Sequence, residues 1–94
     1  MIDISVVILT YNEELNLHHC LESVSGWAKE IFVVDSYSTD ATESIARHYT
    51  DNFVQHTYES HPAQWHWALH NLSFSHKWVF AIDADWTVSE KLKQ

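Results

Sequence analysis

Ile4-Ser5-Val6-Val7-Ile8-Leu9, followed at once by Thr10-Tyr11-Asn12, is the stretch on which the fold turns. The run is apolar and largely β-branched, with Ser5 its only polar residue. A strand with one wet face alternates apolar and polar side chains. This one does not, so both its faces are expected to be covered, as in a parallel sheet flanked by helices. Three further runs fit the same role: Ile31-Phe32-Val33-Val34, the weaker Phe53-Val54, and Trp78-Val79-Phe80-Ala81-Ile82.

Helical patterns separate these runs. After Asn12, residues Leu17, Leu21, Val24 and Ala28 recur every three or four positions, with Cys20 on the same face. Asn12 is expected to cap this helix, and Glu13 and Glu14 suit its positive end. Asp40 and Glu43 stand at capping-box spacing ahead of a short apolar face of Ala41, Ile45, Ala46 and Tyr49. Pro62 fits the first turn of a third helix, with Trp65, Leu69 and Leu72 along one side. Ser89-Glu90-Lys91-Leu92 reads as the start of a fourth. The order β-α-β-α-β-α-β predicts an α/β fold with right-handed crossovers. A chain of 94 residues has room for one such domain and not two.

Composition narrows the function. Thirteen acidic residues against five basic ones give a formal charge of −8, so no nucleic-acid partner is expected. The same balance argues that an anionic ligand needs a cation as mediator. Gly26 is the only glycine, which excludes both a P-loop and a Rossmann glycine fingerprint. Cys20 is the only cysteine, so no internal disulfide forms and packing is its expected role. No stretch approaches the roughly 18 apolar residues of a membrane span, and nothing resembles a signal peptide. The expected setting is cytoplasmic, at most peripheral at the inner membrane face.

Three strand ends supply polar groups: Thr10 to Glu14, Asp35 to Asp40, and Asp83-Ala84-Asp85. In open α/β sheets ligands gather at the carboxyl ends of strands. Asp83 and Asp85, one residue apart, suit a hard divalent cation, Mn²⁺ or Mg²⁺. Such a cation can bridge to a diphosphate and neutralise its charge as it leaves. Asp35 is positioned to accept from a ribose hydroxyl or a base N–H. The acidic turn from Thr10 to Glu14 suits a sugar hydroxyl or base edge better than a bare phosphate.

Val6-Val7-Ile8-Leu9-Thr10-Tyr11-Asn12-Glu13-Glu14, then Val33-Val34-Asp35-Ser36-Tyr37-Ser38-Thr39-Asp40-Ala41-Thr42, then Asp83-Ala84-Asp85 resemble the successive motifs of family 2 glycosyltransferases. The resemblance runs from Ile4 to about Leu92. It implies the GT-A fold, here a Rossmann-like parallel sheet of order 3-2-1-4 with flanking helices. It also implies inverting transfer from a nucleotide-diphospho-sugar donor, UDP-type, to a saccharide or lipid-linked acceptor. The subgroup most resembled builds bacterial lipopolysaccharide core or other surface polysaccharides. By this resemblance Thr10, Tyr11 and Glu13 surround the nucleoside and Asp35 contacts base or ribose. Asp83 faces ribose and metal, Asp85 ligates the metal, and Gln64 faces the donor.

Departures from the family pattern mark where the site should differ. The family commonly has glycine where Tyr37 and Ala41 stand, so the loop after Asp35 is expected to be bulkier or differently shaped. A basic residue and Asn usually follow the Gln, where Trp65 and His66 stand here. An acidic residue is frequent where Trp86 stands, which makes Trp86 a candidate donor contact. The family's acceptor segments and its general base, a carboxylate that deprotonates the acceptor hydroxyl, are expected beyond Gln94. Residues 1–94 therefore read as the donor-binding part of a truncated GT-A domain, unable to transfer sugar alone. The fourth strand is expected at an uncovered edge, favouring self-association. Two alternatives stand beside this reading. One is a non-catalytic nucleotide-binding module, or the remnant of an interrupted gene. The other is a histidine–metal protein built on His66 and His70, for which a third ligand such as His61 cannot be placed.

Overall fold

The computed structural model describes residues 2–72, 74 and 78–84. Strands β1 (Ile2–Thr10), β2 (Ala28–Asp35), β3 (Phe53–Gln55) and β4 (Trp78–Asp83) alternate with helices α1 (Leu17–Val24), α2 (Thr42–Tyr49) and α3 (His61–Asn71). The strands form one sheet of order β3-β2-β1-β4, and the β1–β2, β1–β4 and β2–β3 pairs are all parallel. This is the expected 3-2-1-4 arrangement. The expected helix over 89–92 lies outside the described residues.

Successive residues of β1 and β2 point to opposite faces, and both faces are buried. On one side Val6, Ile8, Ile31 and Val33 pack against Leu17, Cys20, Leu21 and Val24 of α1 and Ala46 of α2. On the other, Val7, Leu9, Phe32 and Val34 pack against Ala68 of α3, with Trp65, Trp67, Leu72 and Phe74 partly buried around them. Each fully buried aliphatic side chain contributes about 1.5–3 kcal/mol relative to exposure. The unbroken apolar run of β1 thus reflects two packed layers meeting on one strand. Cys20 is fully buried in the first layer, as its position on the apolar face of α1 requires.

The helices differ from the pattern in three places. Asn12 does not cap α1. It takes a left-handed backbone (φ +49°), a conformation Asn tolerates better than most residues, and α1 begins only at Leu17 with Asn16 at the cap position. Ala28 opens β2 rather than closing α1; between them Gly26 takes φ +84°, where a side chain would be strained. Leu69 is half-exposed, because α3 turns Gln64 and Ala68 inward instead. The start of α3 is as expected: Ser60 caps it by accepting from the Ala63 N–H at 3.2 Å, and Pro62 sits in the first turn.

Candidate functional site

Parallel pairing puts the carboxyl ends of all four strands on one border of the sheet. In register, Thr10 lies beside Asp35 and Leu9 beside Asp83. A cleft of about 480 Å³ opens there, between the ends of β1 and β4 and the first turn of α3. Thr10, Tyr11 and Glu13 form one wall, and Asp83 with the buried Ala84 another. Tyr58, His61 and Gln64 close the third side and Ser36 lies at the β2 corner. Five of the expected site residues, Thr10, Tyr11, Glu13, Gln64 and Asp83, therefore line one cavity. Asp85 and Trp86 lie outside the described residues.

Asp35 sits beneath that cavity rather than in its lining. It is fully buried, and its carboxylate accepts four hydrogen bonds. Oδ1 receives the hydroxyls of Thr10 (2.7 Å) and Ser38 (2.5 Å). Oδ2 receives the Ser38 N–H (2.8 Å) and the Gln55 side-chain amide (3.2 Å). Gln64 is similarly occupied and almost wholly buried. Its Oε1 accepts from His56 Nδ1 at 2.8 Å, while its Nε2 donates to Ser36 Oγ and to the His56 carbonyl. His56 in turn stacks on Trp67, ring centroids 4.1 Å apart and 18° from parallel. These two polar groups tie β1, β2, β3 and α3 together under the cleft floor.

The loops after β1 and β2 are laced to each other. The Asn12 N–H donates to Ser38 Oγ, and Asn12 Oδ1 accepts from the Thr39 N–H, both at 2.8 Å. The Glu13 N–H donates to Thr42 Oγ1 at 2.8 Å, and the Glu14 N–H to Asp40 Oδ2 at 3.2 Å. Asp40 Oδ1 also accepts from the Thr42 N–H and hydroxyl. Ala41, not Asp40, occupies the cap position of α2, so the expected capping box does not form; Asp40 instead bridges the two loops. Desolvation is the largest single influence on the Asp40 carboxyl and pushes it up, but the hydrogen bonds from the Thr42 hydroxyl and backbone and from the Glu14 backbone together outweigh it and hold the carboxyl below the ordinary carboxylate value. Tyr37, at a position where the family favours glycine, takes the left-handed backbone (φ +60°) with its ring half-exposed.

Three residues lining the cleft are not singled out as donor contacts by the sequence: Ser36, Tyr58 and His61. The signal for His61 was Ser60-His61-Pro62, a cap followed by proline, which puts His61 on the first turn of a helix at the same rim as Asp83. His61 Nε2–H donates to Asp83 Oδ1 at 3.0 Å, both side chains partly exposed. The positive end of α3 opens on the cleft as well. Elsewhere on α3 the rings of His66 and His70 stand 4.2 Å apart. Among the described residues no group of three His, Cys, Asp or Glu is assembled to hold a metal ion.

Residues 5–94 match the family model described as Glycosyl transferase family 2. The chain belongs to that family. A lipopolysaccharide core biosynthesis glycosyltransferase, LpsC, of Rhizobium meliloti is 34% identical over 97% of this chain. The glycosyltransferase SunS of the SPbeta prophage in Bacillus subtilis is 35% identical over 92% of it. The chain spans only 34% of the length of the first relative and 21% of the second. Among solved structures, S. aureus TarS superposes with a TM-score of 0.71 over 96% of this chain and 29% of its own, at 24% identity, a likeness of fold. TarS in complex with UDP matches at 26% identity and TM-score 0.66 over 89% of this chain and 28% of its own. The expectations of family and fold are met. No helix among the described residues is long and apolar enough to cross a membrane.

Proposed function

We propose that this chain is the donor-binding part of a family 2 glycosyltransferase and that the cleft at the sheet border receives a nucleotide-diphospho-sugar of the UDP type. The observation that carries the proposal is the convergence of Thr10, Tyr11, Glu13 and Asp83 on one cavity of about 480 Å³. That volume lies within the roughly 300–1,000 Å³ of small-molecule sites. TarS, crystallised with UDP and with UDP-GlcNAc, supports the choice of donor class.

In this reading Tyr11 stacks on the base and Glu13 approaches the nucleoside. Asp35, through its bond to Thr10 and its hold on the turn at Ser38, fixes the wall against which the nucleoside lies. Asp83 and Asp85 are the residues that would hold Mn²⁺ or Mg²⁺. The partly exposed Asp83 carboxylate beside the cleft is the kind of hard oxygen donor such a cation takes. When bound, the cation supplies charge neutralisation for the departing diphosphate.

The wider reading is inverting transfer to a saccharide or lipid-linked acceptor in bacterial surface polysaccharide or lipopolysaccharide synthesis, in the cytoplasm at the inner membrane face. The name of the R. meliloti relative supports that direction. The proposal assigns donor binding to residues 1–94 and no sugar transfer to them alone. β4 ends the order of the described strands, and the proposal includes pairing of that edge with a second copy. A monomer at high concentration in size-exclusion chromatography would remove that part. The central test is isothermal titration with UDP, with and without Mn²⁺. Metal-dependent binding is expected; no binding under either condition overturns the proposal, and sugar-transfer turnover by the 94-residue chain overturns the division of labour.

A further inference from the structure

We propose that His61 is a metal ligand of the donor site and sets its preference for a transition cation over Mg²⁺. This rests on the donor-site reading above and adds to it a residue outside the Asp83-Ala84-Asp85 motif.

Three observations converge on His61. Its Nε2 stands 3.0 Å from Asp83 Oδ1, with both atoms at the cleft. Ligand atoms at adjacent corners of an octahedron with bonds of about 2.1 Å are themselves about 3.0 Å apart. That separation is the length of their hydrogen bond, and it is also one that two neighbouring ligands of one ion would have. Second, both side chains are partly exposed, at 52% and 41%, so solvent and a ligand can reach them. Third, the position of His61 is restricted by its neighbours. His61 opens α3 next to Pro62, which restricts its backbone, and Trp65 one turn on presents its ring edge-on at 6.3 Å.

Chemistry gives the consequence. In the tautomer drawn by the hydrogen bond, Nε2 donates to Asp83; in the other neutral tautomer the same nitrogen offers a lone pair. Mg²⁺ takes oxygen ligands almost exclusively and dehydrates reluctantly, whereas an imidazole nitrogen favours first-row transition metals. A site in which imidazole nitrogen joins the carboxylate oxygens of the Asp83-Ala84-Asp85 motif, completed by diphosphate oxygens and water, would therefore rank Mn²⁺ above Mg²⁺. An all-carboxylate site would discriminate less. Of the described residues His61 and Asp83 would contribute, with Asp85 and substrate oxygens beside them, so the site needs no third His, Cys, Asp or Glu from the described residues.

The test is UDP binding by calorimetry with Mn²⁺ and with Mg²⁺, on the 94-residue chain and its His61→Ala and His61→Gln variants. Alongside it, free Mn²⁺ is titrated by electron paramagnetic resonance in the absence of nucleotide. The unchanged chain is expected to bind UDP about tenfold more tightly with Mn²⁺ than with Mg²⁺. Both variants should bring that ratio near one and weaken Mn²⁺ binding without nucleotide at least fivefold. Gln can still donate to Asp83 but has no ring nitrogen. A Mn²⁺ preference kept in His61→Gln would therefore mean that His61 only orients Asp83, and would overturn the inference. An unchanged ratio in His61→Ala overturns it too, while leaving the donor-site reading intact. Absence of UDP binding by the unchanged chain with either cation removes that reading instead, and the inference with it. Because His61 is exposed, both variants are expected to keep the far-ultraviolet dichroism of the parent.

Discussion

Thr10 and Asp35 stand side by side at the ends of β1 and β2, and the Thr10 hydroxyl donates to the buried Asp35 carboxylate at 2.7 Å. The bond couples a residue of the cleft wall to the residue that organises the turn at Ser38. A buried carboxylate is tolerable only while its oxygens are fully engaged. Asp35→Ala leaves the Ser38 N–H and the Gln55 amide without their acceptor and is expected to cost about 3 kcal/mol. Asp35→Asn should cost less. Its oxygen can face those two obligate donors while its NH₂ meets the hydroxyls of Thr10 and Ser38, which can turn to accept. Urea unfolding of both variants checks the ranking; equal losses would show that the charge, rather than the bonding pattern, matters.

Tyr37 gives a prediction with opposite signs for two substitutions. Its backbone at φ +60° lies where a β-carbon crowds the following carbonyl, at a cost of roughly 1–2 kcal/mol for residues other than Gly. Tyr37→Gly removes that strain, offset in part by the greater freedom of glycine in the unfolded chain. The expected result is a melting temperature unchanged or raised. Tyr37→Val puts a β-branched residue in the same conformation and should lower stability by about 1–2 kcal/mol. A loss of stability in Tyr37→Gly would mean that the half-exposed ring makes contacts outweighing the strain.

Asp40 predicts a pH dependence. Its folded-state pKa lies below the ordinary value of 3.8. Folding therefore favours the ionised form, and the contribution is fully present above the ordinary value. It is lost as the pH falls below 3.8 and through the lowered folded-state pKa. Asp40→Asn should remove this component. Unfolding midpoints measured from neutral pH down to about pH 2 should fall less steeply in the variant across that acid window. Parallel curves would show that the Asp40 bridges between the two loops do not distinguish its protonation states.

Much of this is legible in the sequence. The unbroken runs of β1 and β2 foretell a sheet covered on both faces, and of the strand-end residues the described ones, Thr10, Asp35 and Asp83, lie along one border. Other features depend on pairings across the fold that no local pattern carries. Asp35 reads as a ligand contact, and the bonds that Gln55, Thr10 and Ser38 make to its carboxylate come from partners no local pattern announces. Leu69 reads as core because it is apolar and correctly spaced. The helix instead buries Gln64, whose amide is satisfied by His56 and Ser36, partners from different segments of the chain. Asn12 reads as a cap because Asn is a good one; its left-handed backbone answers to the reciprocal bonds with Ser38 and Thr39 in the neighbouring loop.

Tyr11 separates binding from folding. Its side chain is 59% exposed at the cleft mouth, so truncation removes little buried surface. Tyr11→Ala should change stability by no more than about 0.5 kcal/mol. If the ring stacks on the nucleoside base, the same substitution removes a contact of about 1–3 kcal/mol. UDP affinity in the presence of Mn²⁺ should then fall by about tenfold, the equivalent of 1.4 kcal/mol. Asp35→Ala, by contrast, should damage stability and affinity together, because it releases Thr10 and the turn at Ser38 behind the cleft wall. Calorimetric titration paired with thermal unfolding reads both quantities for each variant. Tyr11→Ala with undiminished UDP affinity would move the nucleoside away from the β1 end of the cleft and toward Tyr58, a second exposed tyrosine lining it.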